Sequence, residues 1–506
     1  MNVVIVGGGT AGWMTALYAQ VIYPDTNIVL IESDEIGILG AGEGTTPHLV
    51  GFFDFLGIPF SDLVKNCNAT IKNGIKFTNW SASTQYYYHP FASYSSASET
   101  HSYRLNPFIE KDTCFSLIYS AQLKHKFNEH VFYQQMSDNF CVPFIENDKI
   151  NVSNPLEKFD NYGLWSLHFD ARVLAKFLRQ VGESRGIKRV EGVVKEIKNN
   201  DDNYITSLVV NDIIIPVDFV FDCSGFRRLI IGDFYKSKWK SHAKHLPAKR
   251  AIPFFLPIDK KIPPYTESIA MNYGWMWKIP LQHRYGCGYV FDSDFISDDE
   301  AKREIDQYIG FETDSPKTFS FNAGCYEKVW IKNCLAIGLS AGFLEPLEAT
   351  SLWQAVSTLK YFFTLHRNID NAHEYVRDGL NQTYLLATEE IVDFIYIHYL
   401  TNKQNTDFWK NFKINNKTPE AVEYLLELVK DGGYISNSKY LEQSFSVHSY
   451  YHVMYGQGIL TNKQLLKYAE FLPVDHTQEY LKILEEQKIT VPYCTNHYDF
   501  LQKLKH

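Results

Sequence analysis

No run of five basic residues occurs in the chain, and no stretch of about 18 apolar residues free of charge, the length a membrane-spanning helix requires. Acidic residues outnumber basic ones, giving a net charge of −9. That balance excludes the basic footprint on which nucleic-acid binding depends. Cysteine is sparse: Cys67, Cys114, Cys141, Cys223, Cys287, Cys325, Cys334 and Cys494 are scattered, with no C-x-x-C pair. Neither a structural metal site nor a disulfide framework follows from such spacing, and reduced thiols are the expectation. The first residues have no positively charged segment ahead of an apolar one and no small-residue cleavage site. Together these features predict a cytoplasmic protein with no membrane partner, no nucleic-acid partner and no metal.

Present instead is the composition of a globular protein, 45% hydrophobic and 21% charged over 506 residues. At roughly 100–200 residues per domain, this length predicts two to four units. Tyr, Phe and Trp make up 15% of the chain, enough for a large aromatic core or an aromatic-lined pocket. Val3–Val6 reads as a buried strand, Trp13–Ala19 as a helix and Asn27–Glu32 as a second strand, a βαβ unit. Further strand signals lie at 192–197, 213–222 and 334–338, with a helix over 170–186. Segments near 85–160 and 236–330 are rich in Tyr, Phe and turn residues, and from about 375 onward the pattern is helical.

Between the first strand and the helix stands Gly7-x-Gly9-x-x-Gly12, and Glu32 closes the second strand. Gly7 permits a tight turn, Gly9 close approach of a pyrophosphate, and Gly12 close helix–strand packing. The N–H groups of Thr10, Ala11 and Gly12 open the helix and suit phosphate oxygens. Glu32 suits a ribose hydroxyl. Strand, glycines, helix and spaced acid together predict dinucleotide binding. Phe221-Asp222-Cys223-Ser224-Gly225 and Gly338-Leu339-Ser340 each follow a later strand. They either close around a flavin or are ordinary strand-to-turn junctions.

Further motifs are more specific. Gly274-Trp275-Met276-Trp277-Lys278-Ile279-Pro280 carries W-x-W-x-I-P. Asn68–Phe77 carries Lys72 and Lys76, Phe343–Thr350 carries Glu345 and Glu348, and Gly40-Ala41-Gly42-Glu43 stands upstream. With the glycine fingerprint, these resemble the flavin-dependent halogenases of the tryptophan halogenase type, from residue 1 to about residue 400. The resemblance implies an α/β fold: an FAD-binding Rossmann-like domain of the flavin monooxygenase and halogenase type, with an inserted sheet-containing region and a helical C-terminal region. The expected division is residues 1–85, 161–235 and 325–375 for FAD, 86–160 and 236–324 for substrate and tunnel, and 376–506 for the helical region.

As the resemblance implies it, FAD arrives reduced, as FADH2, from a separate flavin reductase. It reacts with O2, and halide attacks the hydroperoxide to give hypohalous acid, which passes through a tunnel to a lysine. Lys72 matches that lysine. It either donates a hydrogen bond to hypohalous acid or, as a neutral amine favoured by burial, takes up the halogen. Lys76 shares its face if the segment is one strand. Glu348 matches the acid that removes the ring proton, and Glu345 is the alternative, read otherwise as an acid stabilised at a helix N-terminus. Gly42, Glu43, Val194, Leu339 and Thr350 join the glycine motif and Glu32 as expected cofactor contacts. Thr350 and Ser351 form the expected halide site. Trp275 and Trp277 would keep substrate from the flavin, or else simply pack.

The chain departs from the family beside Glu348, where the usual Glu-Ser-Thr-Gly is Glu348-Ala349-Thr350-Ser351. A lost hydroxyl and a new side chain at Ser351 put halide preference in question, with bromide or iodide ahead of chloride as one outcome. Tyr88-His89-Pro90-Phe91 resembles the family's Tyr-His-Leu-Phe, so His89 and Phe91 are expected to flank an aromatic substrate. The stretch Tyr440–Tyr451 lacks the Phe-Trp pair that accompanies the family's amino-acid clamp. The expected substrate is therefore an indole or phenol rather than free tryptophan. A homo-oligomer is the expected assembly. An aromatic monooxygenase on the same fold and a flavin-binding protein without chemistry are the alternatives. The lack of a second glycine motif for NAD(P)H favours an external reductase, and Lys72 with Glu348 argues for chemistry.

Overall fold

The computed structural model describes residues 1–35, 42–91, 115–124, 132–147, 158–161, 164–314, 317–365, 372–403, 405–433, 435, 444–470 and 477–505. Contacts divide the chain into two compact units. One is built from Met1–Asn68, Phe169–Ala243 and Asn322–Glu389, the other from Ala69–His168, Lys244–Phe321 and Glu390–His506.

The first unit is an α/β layer structure. Its six-stranded sheet runs in the order Lys188–Glu191, Asn27–Glu32, Asn2–Val6, Phe219–Asp222, Cys334–Ala336 and Trp330–Ile331. All neighbours are parallel except the last pair. The β-branched run of the central strand suits this place, because parallel strands are covered on both faces; Val3, Val4 and Ile5 are fully buried. The helix Thr10–Ile22 extends the sequence expectation by three residues at each end. Helix Ala171–Ser184 begins at Asp170, whose side chain accepts from the N–H groups of Arg172 and Val173.

The expected strand over 213–222 is two strands in two sheets. Ile213–Pro216 pairs antiparallel in a small sheet with 205–210, and Phe219–Asp222 joins the main sheet. Pro216 has no N–H to continue a ladder. Two residues later, the Asp218 carboxylate accepts from the N–H of Asn2 at 2.6 Å, starting the new pairing.

The second unit carries a seven-stranded sheet: Phe319–Ser320, Arg250–Leu256, Tyr285–Phe291, Gly274–Pro280, Thr266–Ala270, Gly74–Thr78 and Tyr86–Pro90. Neighbours are antiparallel except Thr266–Ala270 beside Gly74–Thr78. Ile252, Phe254, Met276 and Tyr289 form its core with Ala301 and Ile305 of helix Asp298–Ile309. That helix opens on a capping box between Ser297 and Glu300. Helices Glu420–Lys430, Val447–Gly456, Asn462–Glu470, Thr477–Thr490 and His497–Lys505 belong to this unit.

The Asn68–Phe77 segment is also broken in two. Thr70–Lys72 pairs antiparallel with Ser166–His168, and Gly74–Thr78 belongs to the seven-stranded sheet. Asn73 makes the break: its N–H donates to the Pro264 carbonyl at 2.6 Å, and its amide reaches the Cys141 carbonyl at 3.1 Å. A period-2 reading therefore does not carry from Lys72 to Lys76.

Candidate functional site

In the first unit, the glycine motif has the space requirements its spacing predicts. Gly7 has φ +120°, and a Cβ there would stand 2.0 Å from the Cys223 carbonyl oxygen; a Cβ on Gly12 would stand 1.9 Å from that of Gly7. A Cβ on Gly9 would meet no protein atom within 4 Å. Gly9 is the N-cap of helix Thr10–Ile22 and brings no side chain to its end. The first N–H groups of that helix have no intrahelical acceptor. An open cradle at a bare helix N-terminus fits the pyrophosphate of FAD.

Glu32 closes one side of this loop. Its Oε2 would lie 1.5 Å from a Cβ on Gly8. Its Oε1 takes Arg189 Nε at 2.5 Å and Arg179 Nη1 at 3.5 Å. Gly338, at φ +68°, lies so near that a Cβ there would come within 3.1 Å of Ala11 Cβ. Leu339 follows in the turn Gly338–Ser340. The fold thus brings the 338–340 junction to the glycine loop. Asp222 is fully buried and serves its own chain. It accepts from the N–H groups of Ile230 and Ile231 at 2.8 and 2.9 Å and from Ser224 Oγ at 2.6 Å.

Gly42 has φ +116°, and Glu43 begins the short strand Glu43–Gly44. Gly40 and Ala41 lie outside the described residues. Burial, then the Asp170 carboxylate, raises Glu43 to about 7. Val194 is half-buried against a cluster containing Val210 and Ile215, at the start of strand Val194–Asn199.

Glu345 and Glu348 are both buried, Glu345 just before the turn Pro346–Glu348 and Glu348 at its end. Ala349 adopts a left-handed φ of +56°, and helix Thr350–Leu365 begins on the next residue. That backbone turn aims the helix N-terminus into a small pocket. Gly338, Gly342, Thr350, Ser351, Gln354 and Tyr384 are among its lining residues. Helix N–H groups and the hydroxyls of Thr350 and Ser351 are donors of the kind that suit an anion.

In the second unit, Lys72 is fully buried, with its Nζ 5.4 Å from the centroid of the Phe91 ring. The solvated-strand alternative does not hold for it. Lys76 sits elsewhere, its Nζ 3.9 Å from Asp138 Oδ1 and 3.9 Å from the Tyr86 ring centroid. His89 is buried, its ring 5.4 Å from Phe394 and 6.3 Å from Phe445. Phe394 and Phe445 stack at 3.9 Å, and the N–H groups of Ser444 and Phe445 donate to the Glu390 carboxylate at 2.7 and 3.3 Å. Residues 440–443 lie outside the described residues.

Trp275 and Trp277 share one face of strand Gly274–Pro280, opposite the core residue Met276, with ring centroids 6.2 Å apart. Trp277 lies across Gly288 of the neighbouring strand, where a Cβ would come within 2.1 Å of the indole. Trp275 is buried and Trp277 half-buried.

Sequence reasoning passed over the groups that hold the Lys72 strand: Thr70, His168, Thr266, Gln282 and His497. Gln282 Nε2 donates to the Ala69 carbonyl at 2.7 Å, and Thr70 Oγ1 donates to the Pro280 carbonyl at 2.7 Å. Only the polar residues' place inside otherwise apolar runs could have marked them. Among the described residues, no group of three or more His, Cys, Asp or Glu is placed to hold a metal ion. No described helix is long and apolar enough to cross a membrane.

The family model "Tryptophan halogenase" matches residues 2–470. The chain is 29% identical to tryptophan 6-halogenase SttH of Streptomyces toxytricini, covering 99% of this chain and 97% of that protein. It is 31% identical to tryptophan 7-halogenase RebH of Lentzea aerocolonigenes, covering 81% and 78%. Among solved structures it resembles a tryptophan halogenase from Shewanella frigidimarina, with TM-score 0.86, 26% identity and coverage of 100% and 97%. A flavin-dependent halogenase from Xanthomonas campestris gives TM-score 0.84, 26% identity and coverage of 99% and 97%.

Proposed function

The chain belongs to the tryptophan halogenase family of flavin-dependent halogenases, and from that premise we propose that it halogenates an electron-rich indole or phenol through Lys72. The observation that carries this reading is the fully buried Lys72 beside an aromatic ring. A buried cation is costly to keep, a cost that an apolar residue at this place on the strand would not carry. FAD, reduced by a separate flavin reductase, supplies the electrons that let O2 oxidise halide to hypohalous acid. Gly7, Gly9, Gly12, Glu32, Gly42, Glu43, Val194, Leu339 and the 10–12 backbone hold the cofactor. Thr350 and Ser351 hold halide.

Lys72 then holds hypohalous acid by a hydrogen bond from its ammonium, or as a neutral amine takes the halogen with loss of water. Passing the halogen to the ring carbon restores the amine. Glu348 takes the displaced ring proton, and a proton returns to the lysine nitrogen. His89 and Phe91 flank the ring, while Trp275 and Trp277 keep substrate from the flavin. Phe445, stacked on Phe394, lies in the 440–451 stretch that carries no Phe-Trp pair. That supports a ring without ammonium and carboxylate groups as substrate. The Ser351 hydroxyl at the pocket supports a halide preference shifted towards bromide or iodide.

Mass spectrometry tests the proposal with purified protein, FAD, NADH and a flavin reductase, offering indole or phenol with each halide. The expected product carries the halogen mass shift, and Lys72→Ala lowers its rate by about a hundred-fold or more. Ser351→Gly is expected to shift the halide ratio towards chloride. An oxygen-shifted product instead would make the protein a monooxygenase.

A further inference from the structure

We propose that His168 and His497 are positioning residues for Lys72, two imidazoles that grip its strand from opposite edges and hold the amine on target. The inference rests on reading Lys72 as the halogen carrier. Within Thr70–Lys72, the backbone groups of Thr70 and Lys72 face the paired strand Ser166–His168, while the Ile71 N–H points to the opposite edge.

On the first edge, Thr70 Oγ1 gives its proton to the Pro280 carbonyl at 2.7 Å. Its contact with His168 Nδ1 at 3.0 Å must therefore be accepted from an Nδ1–H. His168 Nε2, 3.0 Å from Thr266 Oγ1, is left to accept that hydroxyl's proton. One neutral tautomer satisfies every bond, and it ties the Lys72 strand to Thr266 and to the end of the W-x-W strand.

On the second edge, the Ile71 N–H donates to His497 Nε2 at 2.9 Å. Nδ1 of His497 must then carry the ring proton, which it gives to the Ile262 carbonyl at 3.0 Å. His497 is itself anchored, its N–H donating to the Phe140 carbonyl at 2.8 Å. Protonation of His497 would set a second N–H against that of Ile71. Both rings are fully buried. Burial, then Lys72 and His497, lowers His168 well below the ordinary imidazole range, and burial lowers His497 to about 3. The choice of imidazole has a chemical consequence. A carboxylate at either position would keep the accepted bond, lose the one donated to Thr70 or to Ile262, and pair with the ammonium. A neutral ring holds the backbone and adds no charge.

The test measures halogenated product per flavin oxidised, together with hypohalous acid caught in bulk by a soluble β-diketone. The proteins are wild type, Lys72→Ala, His497→Leu, His497→Gln, His168→Leu and His168→Asn. Each leucine variant, at matched FAD binding and circular dichroism, is expected to lower product per flavin at least about ten-fold, with hypohalous acid appearing in the scavenger. The amide variants, which keep an acceptor and a donor, are expected to recover most of the coupling. Leucine variants that fold, bind FAD and stay fully coupled would overturn the inference. Full coupling in Lys72→Ala would instead overturn the reading of Lys72. Should the leucine variants not fold, ¹⁵N-histidine NMR of the wild type decides. Two rings fixed as neutral Nδ1–H tautomers from pH 5 to 8 support the grip, and titration of either near the ordinary imidazole value of about 6.5 overturns it.

Discussion

Glu43 is a carboxyl group whose charge state depends on its surroundings. Its pKa rises from 4.5 to about 7, so the folded protein holds a proton that the unfolded chain releases. Folded stability then falls as pH rises from about 4.5 to about 7. Glu43→Gln removes this dependence. In urea unfolding at pH 5 and pH 8, the variant is expected to lose less stability between the two than wild type, by an amount of order 2 kcal/mol. Equal losses would show that the group does not titrate in this range. Ala349 holds a left-handed φ of +56° between Glu348 and helix Thr350–Leu365. Ala349→Gly is expected to raise stability by up to about 1 kcal/mol, seen as a higher urea midpoint at unchanged slope. Lys72 was legible because a motif surrounds it. His168 and His497 were not, because a histidine in an apolar run reads as an ordinary core residue, and their partner at Thr70 or Ile71 is remote in sequence.

Elements with local signals were read closely: the strand at 27–32 and the helix over 170–186 differ from the structure by two residues or fewer. Where a strand ends for non-local reasons, the sequence was silent. The breaks at Pro216–Asp218 and Asn73 depend on bonds to Asn2, Pro264 and Cys141. Helix Ala171–Ser184 offers a test of how one cap serves two purposes. Asp170 accepts from Arg172 N–H at 3.1 Å and Val173 N–H at 3.4 Å, and its charge also raises Glu43. Asp170→Ala is expected to cost about 1 kcal/mol of cap energy. Asp170→Asn keeps the cap and removes the charge, so the Glu43 titration should move down in pH while stability changes little. Denaturation across pH separates the two variants.

At the scale of the molecule, α/β character and flavin fingerprint were legible, because glycine spacing and helix period are local. The interleaving of two units, each assembled from three chain segments, was legible only as strand signals lying far apart. Saturating FAD should stabilise the unit that binds it by mass action, by about 2.7 kcal/mol at a hundred times Kd. Hydrogen exchange is expected to slow in 2–6, 10–22 and 219–222, with little change in 274–280. Uniform slowing across both units would place cofactor contacts beyond the glycine loop and its neighbours.

The pairing of the first strand with residues 219–222 sets a timetable for synthesis. Asn2 meets Asp218 across 216 residues of chain. At about 5–20 residues per second on a ribosome, the apolar Val3–Val6 segment waits roughly ten to forty seconds for that neighbour, with strand Asn27–Glu32 and helix Thr10–Ile22 already made. One edge of that strand stays open until residues 219–222 are made, so the half-built sheet presents unpaired backbone groups to other chains in the interval.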